Sequence, residues 1–328
     1  MASWINSPSS CAALRSVPPA NSGTGEFALI RRYFSAFSRG PHVELGPGDD
    51  AALLAVPPGE LLAISTDTQV QGVHFPQDSD AARVSYRACA AAVSDLAAMG
   101  ARPLGMTLAL TLPESDENWL SACSRGLAEA VDDFSLPLVG GDTTRGSLSL
   151  TITVLGATPV GAALRRDGAR PGDRLCVSGT LGDAAAGLAL LQGRLDATPA
   201  ASEYLKQRFW RPQPALALGQ ALSGVASAAI DISDGLLADA GHLGEASGVR
   251  IAIDSERIPL SAALSSAVER DQAMAWALTG GDDYALCFTL GPHAALPENC
   301  WCIGRVERGS GVSCDVSSGT GAGFEHFA

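Results

Sequence analysis

Lysine is almost missing from this 328-residue chain: the basic residues are 21 Arg and a single Lys, Lys206. Lys206 lies in Tyr-Leu-Lys-Gln-Arg-Phe-Trp with no glycine-rich loop beside it. The chain therefore has neither a G-x-x-x-x-G-K-[ST] phosphate loop nor the strand lysine and catalytic-loop signature of a protein kinase. Net positive charge is missing too. The 35 acidic residues, 22 of them Asp, outweigh 22 basic ones and leave a formal charge of −13. Such a chain lacks the clustered cations that track a nucleic-acid backbone. No apolar run approaches the ~18 residues that suggest a membrane span. Residues 1–23 are rich in Ser, Ala and Pro, and they lack the basic start and continuous apolar stretch of a signal peptide. They read as a disordered extension. Paired cysteines are scarce as well. Of the eight, only Cys300-Trp-Cys302 is a close pair, too tight for a zinc knuckle and without a second pair. Reduced, mostly buried thiols in a cytoplasmic protein are expected.

What is present is a large apolar reserve. Hydrophobic residues make up 46% and charged residues 17% of the chain, enough for about two domains at this length. Helical spacing is expected over residues 26–34, in the Ala-rich stretch 81–99, and over 119–134, 182–191, 212–222 and 236–246. Apolar, β-rich runs predict strands at 61–65, 106–112, 136–139, 148–155, 173–178, 226–232, 251–253 and 285–290. Gly and Pro between Gly156 and Gly161 mark a possible junction. The mixture of strands and helices, without strict alternation, favours two α/β or α+β domains over one TIM barrel. The expected division is a disordered extension at 1–23, an N-terminal domain at 24–158 and a C-terminal α+β domain at 159–328.

One pattern recurs: a buried strand or glycine-rich turn delivers an Asp where regular structure is expected to stop. It occurs at Gly48-Asp49-Asp50, Ser65-Thr66-Asp67, Ser94-Asp95, the turn Gly140-Gly141-Asp142-Thr143-Thr144, Asp231-Ile232-Ser233-Asp234 and Gly281-Asp282-Asp283. Asp also caps helices and shapes turns, which accounts for any single cluster. Six of them suggest convergence. Carboxylates that converge repel one another unless a cation holds them, and hard oxygen ligands suit Mg²⁺, which joins one or two carboxylates to substrate phosphates. Arginine forks at Arg145, Arg165 and Arg166 can supply further phosphate contacts. His74 is either a packing residue or a substrate contact; without a Ser or Cys partner it makes no nucleophilic triad.

These segments carry a resemblance. Gly-Glu-Phe-Ala-Leu-Ile-Arg-Arg-Tyr-Phe (25–34), Glu-Leu-Gly-Pro-Gly-Asp-Asp-Ala-Ala-Leu-Leu (44–54), Ser-Thr-Asp-Thr-Gln-Val-Gln-Gly-Val-His-Phe (65–75) and Val-Ser-Asp-Leu-Ala-Ala-Met-Gly-Ala (93–101) run in order. Gly-Gly-Asp-Thr-Thr-Arg-Gly (140–146), Ile-Asp-Ile-Ser-Asp-Gly-Leu (230–236) and Gly-Gly-Asp-Asp-Tyr (280–284) come after them. Together they resemble the thiamine-monophosphate kinase family, within the superfamily of aminoimidazole ribonucleotide synthetase and selenophosphate synthetase. The resemblance implies an N-terminal domain with a dimer-forming sheet, a C-terminal α+β domain, and a homodimer. It implies that Asp50, Ser65, Thr66, Asp67, Asp95, Asp142, Asp231 and Asp234 bind magnesium, and that Asp67, Asp95, Asp142 and Asp231 are needed for catalysis. Gly141, Asp142, Arg166 and Ser233 match ATP-contacting positions. His74, Asp282 and Phe324 match contacts to thiamine phosphate. Asp282 stands where the family usually has Glu, one methylene longer, and Phe324 stands where it usually has Trp or Tyr.

The implied reaction is transfer of the ATP γ-phosphate to thiamine monophosphate. A phosphate monoester with its second pKa near ~6 is already largely a dianion at neutral pH, so direct in-line attack needs no general base and no phospho-enzyme. Two alternatives remain. A selenophosphate synthetase-like activity would need a reactive Cys in an N-terminal glycine-rich loop, and Cys11 lies outside any such motif. A non-enzymatic divalent-cation module of the EF-hand kind would need a loop ending in Glu at its twelfth position, which does not occur.

Overall fold

The structure is a computed structural model that describes residues 26–315. The proposed disordered extension at 1–23 and Phe324 lie outside the described residues. The first half is built around a four-stranded sheet of β3 (Glu60–Val70), β4 (Arg102–Leu112), β5 (Leu138–Arg145) and β6 (Ser149–Pro159) in the order β3-β6-β4-β5. Ahead of it come α1 (Glu26–Tyr33) and a short ribbon of β1 (Val43–Leu45) with β2 (Leu53–Leu54). β6 pairs antiparallel with β3 and β4, while β4 and β5 are parallel. Period-two alternation makes the sheet two-faced. Met106, Leu108 and Leu110 with Leu150, Ile152 and Val154 are buried against α2 (Ala81–Ala98) and α3 (Glu117–Phe134). On the opposite face Thr66 pairs with Thr153 and Thr68 with Thr151, each at 2.9 Å between hydroxyls.

The second half carries a six-stranded sheet in the order β12-β9-β11-β7-β10-β8. Its strands are β7 (Arg174–Val177), β8 (Ala226–Asp231), β9 (Arg250–Ile253), β10 (Leu286–Leu290), β11 (Trp301–Glu307) and β12 (Gly311–Cys314). Around it lie α4 (Asp183–Leu191), α5 (Pro199–Trp210), α6 (Leu216–Leu222), α7 (Leu236–Ser247), α8 (Ala262–Ala267) and α9 (Arg270–Thr279). One face of the sheet packs on α7 and α9 through Leu236, Leu243, Met274 and Leu278. On the other, Leu286 and Phe288 share a core cluster with Ala97 and Ala98 at the end of α2. α2 is therefore the shared element. Small residues such as Ala88, Cys89, Ala90 and Ala92, all fully buried, let it sit between the two halves.

Several sequence expectations change. Gly140 to Thr144 is not a turn: it lies inside β5, where the parallel ladder to β4 runs from Thr107↔Gly140 to Thr111↔Thr144. Asp67 does not end a strand, because β3 continues to Val70 under pairing with β6. The possible junction begins inside β6, which reaches Pro159. The helix expected from Pro212 starts at Leu216, as prolines at 212 and 214 withhold amide donors. α5, α8, α9, β11 and β12 carry too little periodicity to have been anticipated.

Candidate active site

Alternation along β3 places Ser65 and Asp67 on the inner face, turned toward the last turns of α2. The Ser65 hydroxyl donates to Asp95 Oδ2 at 2.5 Å. Asp95 also faces Asp231 at the end of β8, whose Oδ2 accepts from the Ser94 hydroxyl at 2.8 Å. Burial, reinforced by the charge of Asp95, raises the Asp67 carboxyl above its usual range. The same two causes, in the same order, push Asp231 up to about 6. The charge of Asp95 thus disfavours the ionised form of one carboxylate from each half, Asp67 and Asp231. Beside them opens a cleft of about 510 Å³, lined by Ser65 and Asp95 on one side and by Arg165, Arg166 and Ala229 on the other. The Arg165 guanidinium forms a fork with exposed Asp167, at 2.8 and 2.6 Å. The charge of Arg166 acts on Asp231, favouring its ionised form.

Ser233 and Asp234 follow β8 in a loop whose backbone is gathered by a residue that sequence reasoning missed. Asp239 Oδ2 accepts from the N–H groups of Ser233, Asp234 and Gly235 at 3.0, 3.1 and 3.1 Å. Burial and the charges of Asp231 and Asp234 push its carboxyl up to about 7, opposed by those N–H groups. The available signal was an acidic residue in the first turn of a helix, just after an Asp-Gly turn. Asp239→Ala is expected to cost about 2–4 kcal/mol, since buried donors left without an acceptor cost ~1–3 kcal/mol each and water recovers part of that. A lower urea midpoint checks this; Asp239→Asn, which keeps an acceptor oxygen, should retain most of the stability.

The adjoining loop is pinned to the same segment. Asp282 N–H donates to Ser233 C=O, and Tyr284 N–H to Ile232 C=O, both at 2.8 Å. Gly281, Asp282 and Tyr284 all have positive φ (65°, 61° and 49°). A Cβ at position 281 would stand 2.5 Å from Ser233 O, so glycine is required there. Asp282 accepts on Oδ1 from Arg87 of α2 at 2.6 Å and from the Tyr284 hydroxyl at 3.2 Å. Arg87 was not anticipated either; its signal was a cation running into the small, apolar helical stretch Ala88 to Val93.

Other expected site residues stand apart. The Thr66 hydroxyl lies on the outer face, bonded to Thr153. Asp50 is exposed in the turn after β1, where its N–H meets the Asp49 side chain at 2.9 Å. Asp142 is exposed on β5, across the sheet from Asp67, and Gly141 packs directly on the β4 backbone. Arg145 Nε donates to Pro113 C=O at 3.2 Å, outside the cleft lining. His74 Nδ1 accepts from Val70 N–H at 3.0 Å, closing the hairpin-like turn after β3. Among the described residues, no three His, Cys, Asp or Glu side chains converge tightly enough to enclose a metal by themselves.

Behind the loop, Asp283 is fully buried and accepts from Gly182 N–H at 2.8 Å, while its Oδ1 has no partner. Burial, with a smaller contribution from Asp183, pushes its carboxyl up to about 8, opposed mainly by the Gly182 N–H. The folded state therefore holds a proton here that the unfolded chain releases above its ordinary value of 3.8. Stability from this group is full below about 4, declines as pH rises and is lost by about 8. Asp283→Asn should flatten that decline, and urea denaturation between pH 5 and 9 would show it.

The arrangement defines a class. The family models described as "AIR synthase related protein, N-terminal domain" and "AIR synthase related protein, C-terminal domain" match residues 48–158 and 170–316. Within that class, the thiamine-monophosphate kinase of Escherichia coli (strain K12) is 47% identical over 322 residues, covering 93% of this chain and 98% of the relative. The crystal structure of thiamine-monophosphate kinase from Stenotrophomonas maltophilia K279a superposes with a TM-score of 0.80 at 45% identity, covering 85% of this chain and 93% of the other. A structure described as AaThiL complexed with AMPPCP and TMP superposes with a TM-score of 0.78 at 35% identity, over 92% and 97% of the two chains. The chain belongs to the thiamine-monophosphate kinase family.

Proposed function

We infer that the chain transfers the γ-phosphate of ATP to thiamine monophosphate, giving thiamine diphosphate. The observation that carries this reading is the cleft in which Ser65 and Asp95 of one half face Arg165 and Arg166 of the other, in a chain alike along its length to a kinase structure holding an ATP analogue and TMP. The donor set suits magnesium: it is all oxygen, and with no cation between them the charge of Asp95 makes Asp67 and Asp231 harder to ionise. In this reading Asp50, Ser65, Thr66, Asp67, Asp95, Asp142, Asp231 and Asp234 hold it; Thr66 would do so through its backbone carbonyl. Magnesium, when bound, offsets the charge of the phosphates. Arg166 and Ser233 hold ATP from the second half, Gly141 and Asp142 from β5. His74, Asp282 and Phe324 receive the thiamine end. Among the described residues that line the cleft there is no Cys or His, and Ser65 has no His beside it to take its proton, consistent with a phosphate dianion attacking in line. Incubation with ATP, Mg²⁺ and thiamine monophosphate should yield thiamine diphosphate, with no phosphate left on the protein. Absence of product, or a trapped phosphoprotein, would overturn the reading.

The working unit is proposed to be a homodimer. Asp67 and Asp142 lie on opposite edges of the four-stranded sheet, in nearly the same row: Asp142 is level with Ala109, Ala109 with Thr151 and Thr151 with Thr68. Three strand spacings separate them, about 14 Å. One chain does not bring them together; a second copy whose β5 lies along β3 would. The edge strand β3 exposes Leu61, Leu62 and Ile64 at 52%, 42% and 61%, an apolar surface that invites a partner. We take residues 24–158 and 159–328 as the two domains. A cytoplasmic location is supported by the free thiols of Cys89, Cys123, Cys176, Cys287, Cys300 and Cys302; no described helix is long and apolar enough to cross a membrane.

A further inference from the structure

Arg87 is 1% exposed at its side chain, in the middle of α2. A guanidinium is costly to bury, and a well-packed apolar residue would serve packing alone as well or better. Here its polar contacts lead to the second half. Nη2 donates to Asp282 Oδ1 at 2.6 Å and Nη1 to Phe209 C=O at 2.7 Å. The guanidinium also stacks 4.1 Å from the Phe209 ring centre and 5.8 Å from that of Tyr284. Ser94, seven residues on and so on the same helical stripe, reaches Asp231 in the same way. Asp282 sits between Gly281 and Tyr284 in the loop of positive φ values and keeps its side chain 30% exposed. Both contacts to it fall on Oδ1, so Oδ2 is the oxygen left for a ligand.

We propose that Arg87 is a positioning residue for the substrate: it reaches from α2 to Asp282 and holds that carboxylate in one aimed position, setting affinity for the cationic thiazolium end of thiamine monophosphate. The proposal rests on the reading of Asp282 as a thiamine contact. It also explains how a carboxylate one methylene shorter than Glu serves there. The long, forked Arg meets the short Asp and holds it in place, so the pair is matched in reach. Asp67 feels the same cation only as the smallest of its influences, so the magnesium and ATP side should respond little.

The test measures KM for each substrate and, separately, thiamine monophosphate binding by calorimetry without ATP. Arg87→Met is expected to raise KM and Kd for thiamine monophosphate by about tenfold or more while KM for ATP stays within about twofold. Arg87→Lys, which keeps the charge and guards against a variant that fails to fold, should raise KM for thiamine monophosphate by about threefold or more. Adding Asp282→Glu to it should recover part of that loss, because the longer acid meets the shorter base. Equal effects on both substrates in Arg87→Lys, or no rescue by Asp282→Glu, would overturn the positioning role and leave Arg87 a structural link. Asp282→Asn separates the two layers. If it leaves thiamine monophosphate binding unchanged, the underlying contact reading fails. If it weakens binding while both Arg87 variants bind normally, only the Arg87 proposal fails.

Discussion

Two inactive proteins, Asp67→Ala and Asp142→Ala, should regain about a quarter of wild-type turnover when mixed in equal amounts and allowed to exchange subunits. Each alone is expected to lose about 10³-fold or more, because phosphoryl transfer depends on positioning and charge neutralisation rather than on a replaceable base. Recovery follows from the sheet: the two carboxylates lie at opposite edges, on β3 and β5, and one residue apart in register, Asp142 being level with Thr68. A site made from β3 of one protomer and β5 of the other is intact once in every mixed dimer, and half of randomly re-formed dimers are mixed. Folding should not suffer. Burial and Asp95 already disfavour the Asp67 carboxylate, so removing it relieves repulsion, and the metal-free urea midpoint should stay level or rise. Proven subunit exchange without recovered turnover would refute the shared site. Near-normal turnover in Asp67→Ala, Asp95→Ala and Asp142→Ala alike would sink the carboxylate reading itself.

The elements legible in the sequence were those with strong periodicity. α2 and α3 appeared with bounds within two residues, since their apolar positions recur at helical spacing. The sheet strands were found too but drawn short: β4 begins at Arg102 and β6 runs to Pro159, because ladder pairing extends a strand past its apolar core. Asp motifs marked where carboxylates occur along the chain without telling which face they take. Ser65 and Thr66 are adjacent in one motif, yet one hydroxyl meets Asp95 and the other Thr153. Only strand alternation decides that, and it requires the register. Arg87 and Asp239 escaped for a different reason: each acts through a partner distant in sequence or through backbone N–H groups, and the local signal each leaves on its helix does not name that partner.

Two neighbouring glycines show the same limit as an expected experimental contrast. Gly140 and Gly141 are equivalent to the eye in Gly-Gly-Asp-Thr-Thr, yet Gly141→Ala should cost more than about 4 kcal/mol and Gly140→Ala less than about 1 kcal/mol. The β4–β5 ladder steps from Met106↔Leu138 to Thr107↔Gly140, so β5 carries one extra residue at that point. Such a bulge bends its strand and re-aims the side chains beyond it. It presses Gly141 onto β4, where a Cβ would lie 1.9 Å from Leu108 O and 2.8 Å from Leu108 C. These are backbone atoms in a central strand of the sheet, and they cannot yield without breaking the ladder to β6, which pairs Leu108 with Ile152. At Gly140 the nearest atom to an added Cβ is Thr107 Cγ2 at 3.8 Å, an ordinary contact. Urea midpoints and soluble yields of the two variants, expressed side by side, measure the difference; similar values for both would mean that β5 has more freedom than its bulged register implies. Because Asp142 is the next residue along β5, any Gly141→Ala protein that does fold should also lose activity, while Gly140→Ala keeps Asp142 on its edge and its turnover within a few-fold of wild type.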